Sequence, residues 1–173
     1  AQTAIGQFDN LFTPLQLANY ISTIANGGKR YKPFLIKKVV KYDGSLVNET
    51  RPEYEKVPVK PETIEAIKKG MVAVTNSIDG TAVSVFSDFP FKVAGKTGTA
   101  ETGREANHSS NALFVCYAPA DKPQIAVAVV VERGAWGSNT APIARDVLQE
   151  YFRLNSGVKS DDSVIPDEPV FTR

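Results

Sequence analysis

Apolar residues keep two rhythms along this chain, a helical one that dominates the first half and an extended one that dominates the second. From residue 14 to 26, Leu17, Ala18, Ile21, Ile24 and Ala25 recur at helical spacing. Thr13-Pro14-Leu15-Gln16 precedes them, with a capping hydroxyl, a proline at the first helical position and a glutamine at the third, as a capping box requires. Asn26-Gly27-Gly28 supplies the left-handed stop, so a helix is predicted from Pro14 to Asn26. Phe34 to Tyr42 is rich in β-formers and runs into Asp43-Gly44, which predicts a surface hairpin. Pro52, Pro58 and Pro61 punctuate the polar stretch that follows. Pro61 also opens a second predicted helix, in which Glu62 and Glu65 face the positive end of the dipole and Ile64, Ile67, Met71 and Val74 form the buried stripe.

After a turn at Ser77-Ile78-Asp79-Gly80, short strands are predicted at Phe91 to Lys96, Ala112 to Tyr117 and Ile125 to Glu132. The turn-forming Pro119-Ala120-Asp121-Lys122-Pro123 separates the last two, and connections this short favour an antiparallel meander. Ile125 to Val131 is apolar without alternation, which implies cover on both faces and a central strand. A helix beginning at Pro142, with Ile143, Val147, Leu148, Tyr151 and Leu154 along one face, is expected to supply part of that cover. The fold class is therefore α+β, an antiparallel sheet covered by helices. Residues 1–154 are expected to form the globular part. Residues 155–173, rich in Ser, Asp and Pro, are expected to form a flexible polar C-terminal tail. Ala1 to Phe12 shows no domain-opening signal, so the chain is expected to begin in the middle of a domain.

Composition narrows the function without naming it. Among 173 residues, 20 Lys and Arg balance 19 Asp and Glu, which leaves no electrostatic footprint for nucleic acid, and substrate charge must be handled locally. A single cysteine excludes an intrachain disulfide framework and a cysteine-cluster metal site. Cys116 reads as a small core residue, and the lone histidine, His108, as a solvated loop residue. No metal and no cofactor is expected.

One phrase carries chemistry. Gly95-Lys96-Thr97-Gly98-Thr99-Ala100-Glu101, expected at the end of the first meander strand, sets an ammonium, two hydroxyls and backbone N–H groups around a glycine that lets a ligand lie along the strand. Such a set suits a carboxylate. The tripeptide alone also fits a strand end turning through a glycine. Trp136, on the loop after the third strand, fits either the rim of a cleft near Lys96 or an aromatic anchor on the last helix. Glu101, Arg104 and Glu105 border the phrase on a loop that is either solvated or in contact with substrate.

Lys96-Thr97-Gly98 is one of three motifs of penicillin-binding proteins and class A β-lactamases. Taken in order with Gly6-Gln7, Thr13-Pro14-Leu15-Gln16-Leu17-Ala18, Ile24-Ala25-Asn26-Gly27-Gly28, Asp79-Gly80-Thr81-Ala82 and Tyr117-Ala118-Pro119, it closely resembles the C-terminal part of class B penicillin-binding protein transpeptidase domains. The resemblance covers Ile5 to Leu154. Ile125 to Glu132 with Ala141-Pro142-Ile143-Ala144-Arg145 looks more like the cell-elongation branch than the division branch.

The resemblance implies the penicillin-binding protein/β-lactamase-like transpeptidase fold and a serine acyl-enzyme reaction on peptidoglycan stem peptides. Lys96, Thr97, Gly98 and Thr99 would be the catalytic residues of this chain. Lys96 would shape the positive field, and Thr97 and Thr99 would bind the carboxylate of the stem peptide or of a β-lactam antibiotic. The N–H of Thr99 would join the oxyanion hole, and Glu101 and Trp136 would line the substrate. The implied setting is the extracytoplasmic face of the bacterial cell membrane, with an N-terminal anchor and a membrane-embedded glycosyltransferase as partner. The same fold also admits a non-catalytic β-lactam receptor or scaffold, and a serine β-lactamase.

The family's serine motif and its Ser-x-Asn motif are not found ahead of Lys96. Ser156-Gly157-Val158-Lys159 and Ser109-Ser110-Asn111 spell them only after it, in reversed order. Both read as chance matches. The nucleophile is accordingly expected from an upstream segment of the same protein, removed or present as a separate chain. The fragment alone is expected to be inactive, and poorly soluble because its first helix and both sides of Ile125 to Val131 would lack partners.

Overall fold

The computed structural model describes residues 10–101 and 110–155. Helix α1 (Pro14–Ala25) starts where the capping box places it: the Gln16 N–H donates to Thr13 Oγ1 at 3.2 Å, and the Thr13 N–H donates to Gln16 Oε1 at 2.8 Å. It ends one residue before the expected stop, with Gly27 at φ +81° and Gly28 at φ +96° turning the chain away. Thr13→Ala is expected to destabilise the fold by about 1 kcal/mol, because the first turn loses its acceptor. Urea unfolding of the wild type and the variant checks this.

The surface hairpin forms, but its strands are short. β2 (Lys38–Val40) pairs antiparallel with β3 (Leu46–Glu49) across a turn with Gly44 at φ +82°. Phe34 to Ile36, expected in the first of these strands, lie outside it and are exposed. Flanking the hairpin, β1 (Lys29–Tyr31) pairs with β4 (Tyr54–Lys56), and β4 lies inside the polar stretch that follows the hairpin. The Tyr31 and Tyr54 rings meet there at 5.2 Å.

Helix α2 (Pro61–Asn76) buries Ile64, Met71 and Thr75. Val74 is half-buried and packs on the core, whereas Ile67, expected in the stripe, is 38% exposed. Thr75 takes a core position because its hydroxyl is satisfied there, donating to Val93 O at 2.6 Å. Glu62 sits in the first turn of this helix, and Glu65 pairs with Lys68 at 3.2 Å. The short helix α3 (Val83–Phe86) follows.

The main sheet is the expected antiparallel meander with two corrections. β5 (Ala94–Ala100), β6 (Asn111–Ala118) and β7 (Ile125–Val131) lie in that spatial order. The first strand therefore starts three residues later than Phe91 and runs through Lys96 to Ala100, so the motif lies inside a strand and no turn occurs at Gly98. The central strand is β6; among the described residues, β7 is at an edge. Its apolar run reports covered faces. Ile125, Val127 and Val129 pack in one core with Phe86 of α3 and with Ala141, Ala144 and Leu148 of α4 (Ala141–Asn155), and Ala126 packs in the other with Ile21, Ile24 and Ala25 of α1. Helices of this chain thus cover both faces of β7, contrary to the expectation that both await an outside partner.

Helix α4 is rotated relative to the expected face. Ala144 and Leu148 are buried and Phe152 packs on the same core, while Ile143 and Val147 are 46% and 43% exposed. The side chain of Leu154 and residues 156–173 lie outside the described part. Arg145 fixes α4 to α3 through a bond to the Val85 carbonyl, and to the segment after α3 through a two-pronged pair with Asp88 at 2.5 and 3.1 Å. The guanidinium holds the Asp88 carboxyl below its usual range. Among the described residues, no helix is long and apolar enough to cross a membrane.

Candidate active site

β5 has a strand neighbour on one side only among the described residues, so half of its backbone N–H and C=O groups face away from β6. The end of α2 anchors the approach to this strand: Thr75 Oγ1 and Asn76 Nδ2 both donate to Val93 O, at 2.6 and 3.0 Å. Gly95 follows, and its lack of a side chain is a packing requirement, since a Cβ there would stand 2.6 Å from Phe114 Cζ.

Lys96, Thr97, Gly98 and Thr99 pair with Val115, Phe114, Leu113 and Ala112 on β6. Strand periodicity places Thr97 and Thr99 together on one face and Lys96 on the other. Lys96 is exposed, and its Nζ donates to Thr97 O at 2.6 Å. Thr97 Oγ1 lies 3.0 Å from Thr81 Oγ1. Thr99 Oγ1 accepts the N–H of Gly137 at 3.0 Å. Gly137 opens a 3₁₀ turn, Gly137–Thr140, laid directly on the strand: a Cβ on Gly137 would fall 2.2 Å from Gly98 O and 2.7 Å from Gly98 N. Only glycine allows that approach.

The loop delivering Gly137 is built under strain. Arg133 and Ala135 hold left-handed backbones at φ 55° and 63°, which cost on the order of 1–2 kcal/mol each for residues carrying a Cβ. Hydrogen bonds on these two residues and on Gly134 between them hold the loop. Arg133 N donates to Asn111 Oδ1 at 3.2 Å, Ala135 N to Ser110 O at 3.1 Å, and Asn139 Nδ2 to Gly134 O at 3.1 Å. Trp136, next in sequence to Gly137, is 69% exposed, so it is not a buried anchor on α4. Glu101 is exposed just past the end of β5. Cys116 is fully buried, and burial pushes its thiol up to about 12, which fits a packing role.

β5 is thus an edge strand among the described residues that carries an ammonium and two hydroxyls, each hydroxyl met by a group from a separate segment. The family model of the penicillin binding protein transpeptidase domain matches residues 1–149. This chain belongs to that family. Penicillin-binding protein 2A of Bacillus subtilis is 40% identical over 171 residues, a match covering 88% of this chain and 24% of the relative. Peptidoglycan D,D-transpeptidase MrdA of Haemophilus influenzae is 34% identical, with 85% of this chain and 25% of the relative covered. Among solved structures, the penicillin G acyl-enzyme complex of penicillin-binding protein A from M. tuberculosis superposes with a TM-score of 0.74 at 32% identity, covering 87% of this chain and 34% of that one. The chain thus spans about a quarter of the length of these curated relatives.

In this transpeptidase-domain chain, the residues singled out by sequence gather along β5, with Lys96, Thr97, Gly98 and Thr99 on the strand and Glu101 beyond its end, while Trp136 precedes Gly137, whose N–H meets Thr99. Sequence reading did not find the partners of the two hydroxyls, Thr81 and Gly137. The signal for Thr81 was the Asp79-Gly80-Thr81-Ala82 phrase itself, and for Gly137 the Gly134-Ala135-Trp136-Gly137 loop. Asn111, part of the chance Ser-x-Asn match, holds Arg133. Gly6, Gln7, Arg104, Glu105, His108, Ser109 and Ser156 to Lys159 lie outside the described residues.

Proposed function

We propose that this chain supplies the Lys-Thr-Gly side of the active site in a peptidoglycan D,D-transpeptidase of the elongation-type branch, with the nucleophilic serine and its lysine contributed by a segment upstream of Ile5. The observation that carries this reading is the hydrogen-bonded seating of Thr97 and Thr99 on an exposed strand edge, with the Lys96 ammonium in the same strand. The two hydroxyls donate to the terminal carboxylate of a D-alanyl-D-alanine stem peptide, or of a β-lactam that imitates it, and Lys96 supplies the positive field. The peptide lies along β5 as an added strand, with Glu101 and Trp136 bordering it.

Serine Oγ attacks the carbonyl between the two D-alanines. The oxyanion is held by the serine N–H and the Thr99 N–H, a type of donor worth roughly 3–4 kcal/mol in the transition state. The terminal D-alanine then leaves with a proton on its nitrogen, and the amine of a second stem peptide displaces the serine to form the cross-link. The protein acts at the extracytoplasmic face of the membrane, anchored by its upstream part, beside a membrane-embedded glycosyltransferase that makes the strands to be joined. This chain alone is inactive because it lacks the acylated serine.

Fluorescent penicillin applied to the intact protein tests the reading. A covalent label that persists for many minutes is expected, together with cross-linked product from two stem peptides. Rapid loss of label would identify a β-lactamase, label without cross-linking a receptor, and no label at all a scaffold; each would overturn the transpeptidase assignment.

A further inference from the structure

The Asp79-Gly80-Thr81-Ala82 phrase takes no part in the acyl-transfer scheme, yet it is firmly seated. Gly80 rests on the last turn of α2, where a Cβ would stand 2.4 Å from Val74 O and 2.6 Å from Ala73 O, and its N–H donates to Ser77 O at 2.8 Å. Ala82 is fully buried, and its N–H donates to Val74 O at 3.0 Å. Thr81 stands between these two fixed points with its side chain exposed and its Oγ1 3.0 Å from Thr97 Oγ1. The same helix end holds Val93 O, two residues before Gly95. Both threonines are thus referred to one piece of backbone.

We propose that Thr81 is a positioning residue, whose hydroxyl donates to Thr97 and so aims the single Thr97 proton at the carboxylate of the D-alanyl peptide or β-lactam. This rests on the carboxylate-binding role given to Thr97 above. A threonine hydroxyl has one proton and two acceptor sites, and an ionised carboxylate accepts only. With an anion in place, Thr97 must donate outward, and the contact with Thr81 has one remaining sense, Thr81 to Thr97. A chain of two hydroxyls ending on an anion polarises in a single direction, which strengthens the outer bond. Without Thr81 the Thr97 hydroxyl keeps its charge-binding ability but loses its fixed aim.

The test uses the intact protein with Thr81→Val and Thr81→Ser, and compares acylation by penicillin with acylation by its methyl ester, which lacks the carboxylate charge. Thr81→Val is expected to slow penicillin acylation about fivefold to tenfold, the size of one net hydrogen bond. Thr81→Ser is expected to stay within about twofold of wild type, and the ester to react with all three proteins at about the same rate. Equal slowing of penicillin and ester would mean a general structural role and overturn the proposal. So would an unchanged Thr81→Val, or a Thr81→Ser as slow as the valine variant. The ester rate also reports that the serine is correctly assembled in each variant. Wild-type protein that takes no label would overturn the functional reading and this proposal with it, whereas labelled wild type with an unaffected valine variant overturns the role of Thr81 alone.

Discussion

Gly137→Ala in the intact protein is expected to lower the second-order rate of penicillin acylation by about a hundredfold, the scale of a 1 Å misplacement of an active-site group. The added methyl would lie 2.2 Å from Gly98 O, 2.7 Å from Gly98 N and 2.8 Å from Gly98 C, all backbone atoms that cannot rotate aside. The 3₁₀ turn must therefore lift off β5 by about 1 Å to reach ordinary van der Waals contact. Lifting breaks the bond from Gly137 N to Thr99 Oγ1 and shifts Trp136 with it. Buried Thr140, whose hydroxyl donates to Gly137 O at 2.8 Å, keeps the rest of the turn on the core, so the damage stays local. Exposed Ser138 in the same turn provides the control: Ser138→Ala should react at nearly the wild-type rate. A Gly137→Ala protein within threefold of wild type would show that Thr99 does not depend on this contact.

Phe114→Ala is expected to cost on the order of 3–5 kcal/mol of stability, a large part of the total for a small domain. Phe114 is fully buried in β6, stacks on Phe86 with centroids 5.7 Å apart, and fills the space left by the missing side chain of Gly95. Its removal leaves a cavity against β5 that rigid strands on both sides cannot close. Urea unfolding of this chain measures the effect, with Phe114→Leu expected to lose less because it refills part of the space. A loss under 1 kcal/mol in the alanine variant would mean that the ring does not support the motif strand.

The parts of this fold legible in sequence are those encoded by neighbours in the chain. Helix α1 is announced by Thr13, Pro14 and Gln16, which act within one turn of each other. The hairpin announces itself through Asp43-Gly44. β1 and β4 escape notice because Arg30 and Glu55 face each other across 25 residues and each strand is only three residues long. Thr75 does not stand out in sequence because it is polar, although a hydroxyl with a carbonyl to bond is at home in a core. Ile143 and Val147 fall on the helical face that reads as inward, whereas small Ala141 and Ala144 are the residues that let α4 approach the sheet. The Lys-Thr-Gly-Thr segment reads as the end of a strand, yet polar residues on an open edge do not end one.

The site divides along the same line. Lys96, Thr97 and Thr99 share one strand and were readable as a set, since alternation alone brings the two hydroxyls to one face. Thr81 and Gly137 reach them from 16 and 38 residues away, and only tertiary packing reveals those contacts.

The anchoring of Val93 and of the Gly80 turn to the same end of α2 has a mechanical result. A shift of that helix end would displace both the Gly80 turn and Val93, so the Thr81 and Thr97 oxygens would travel the same way and their spacing would change less than their place in the molecule.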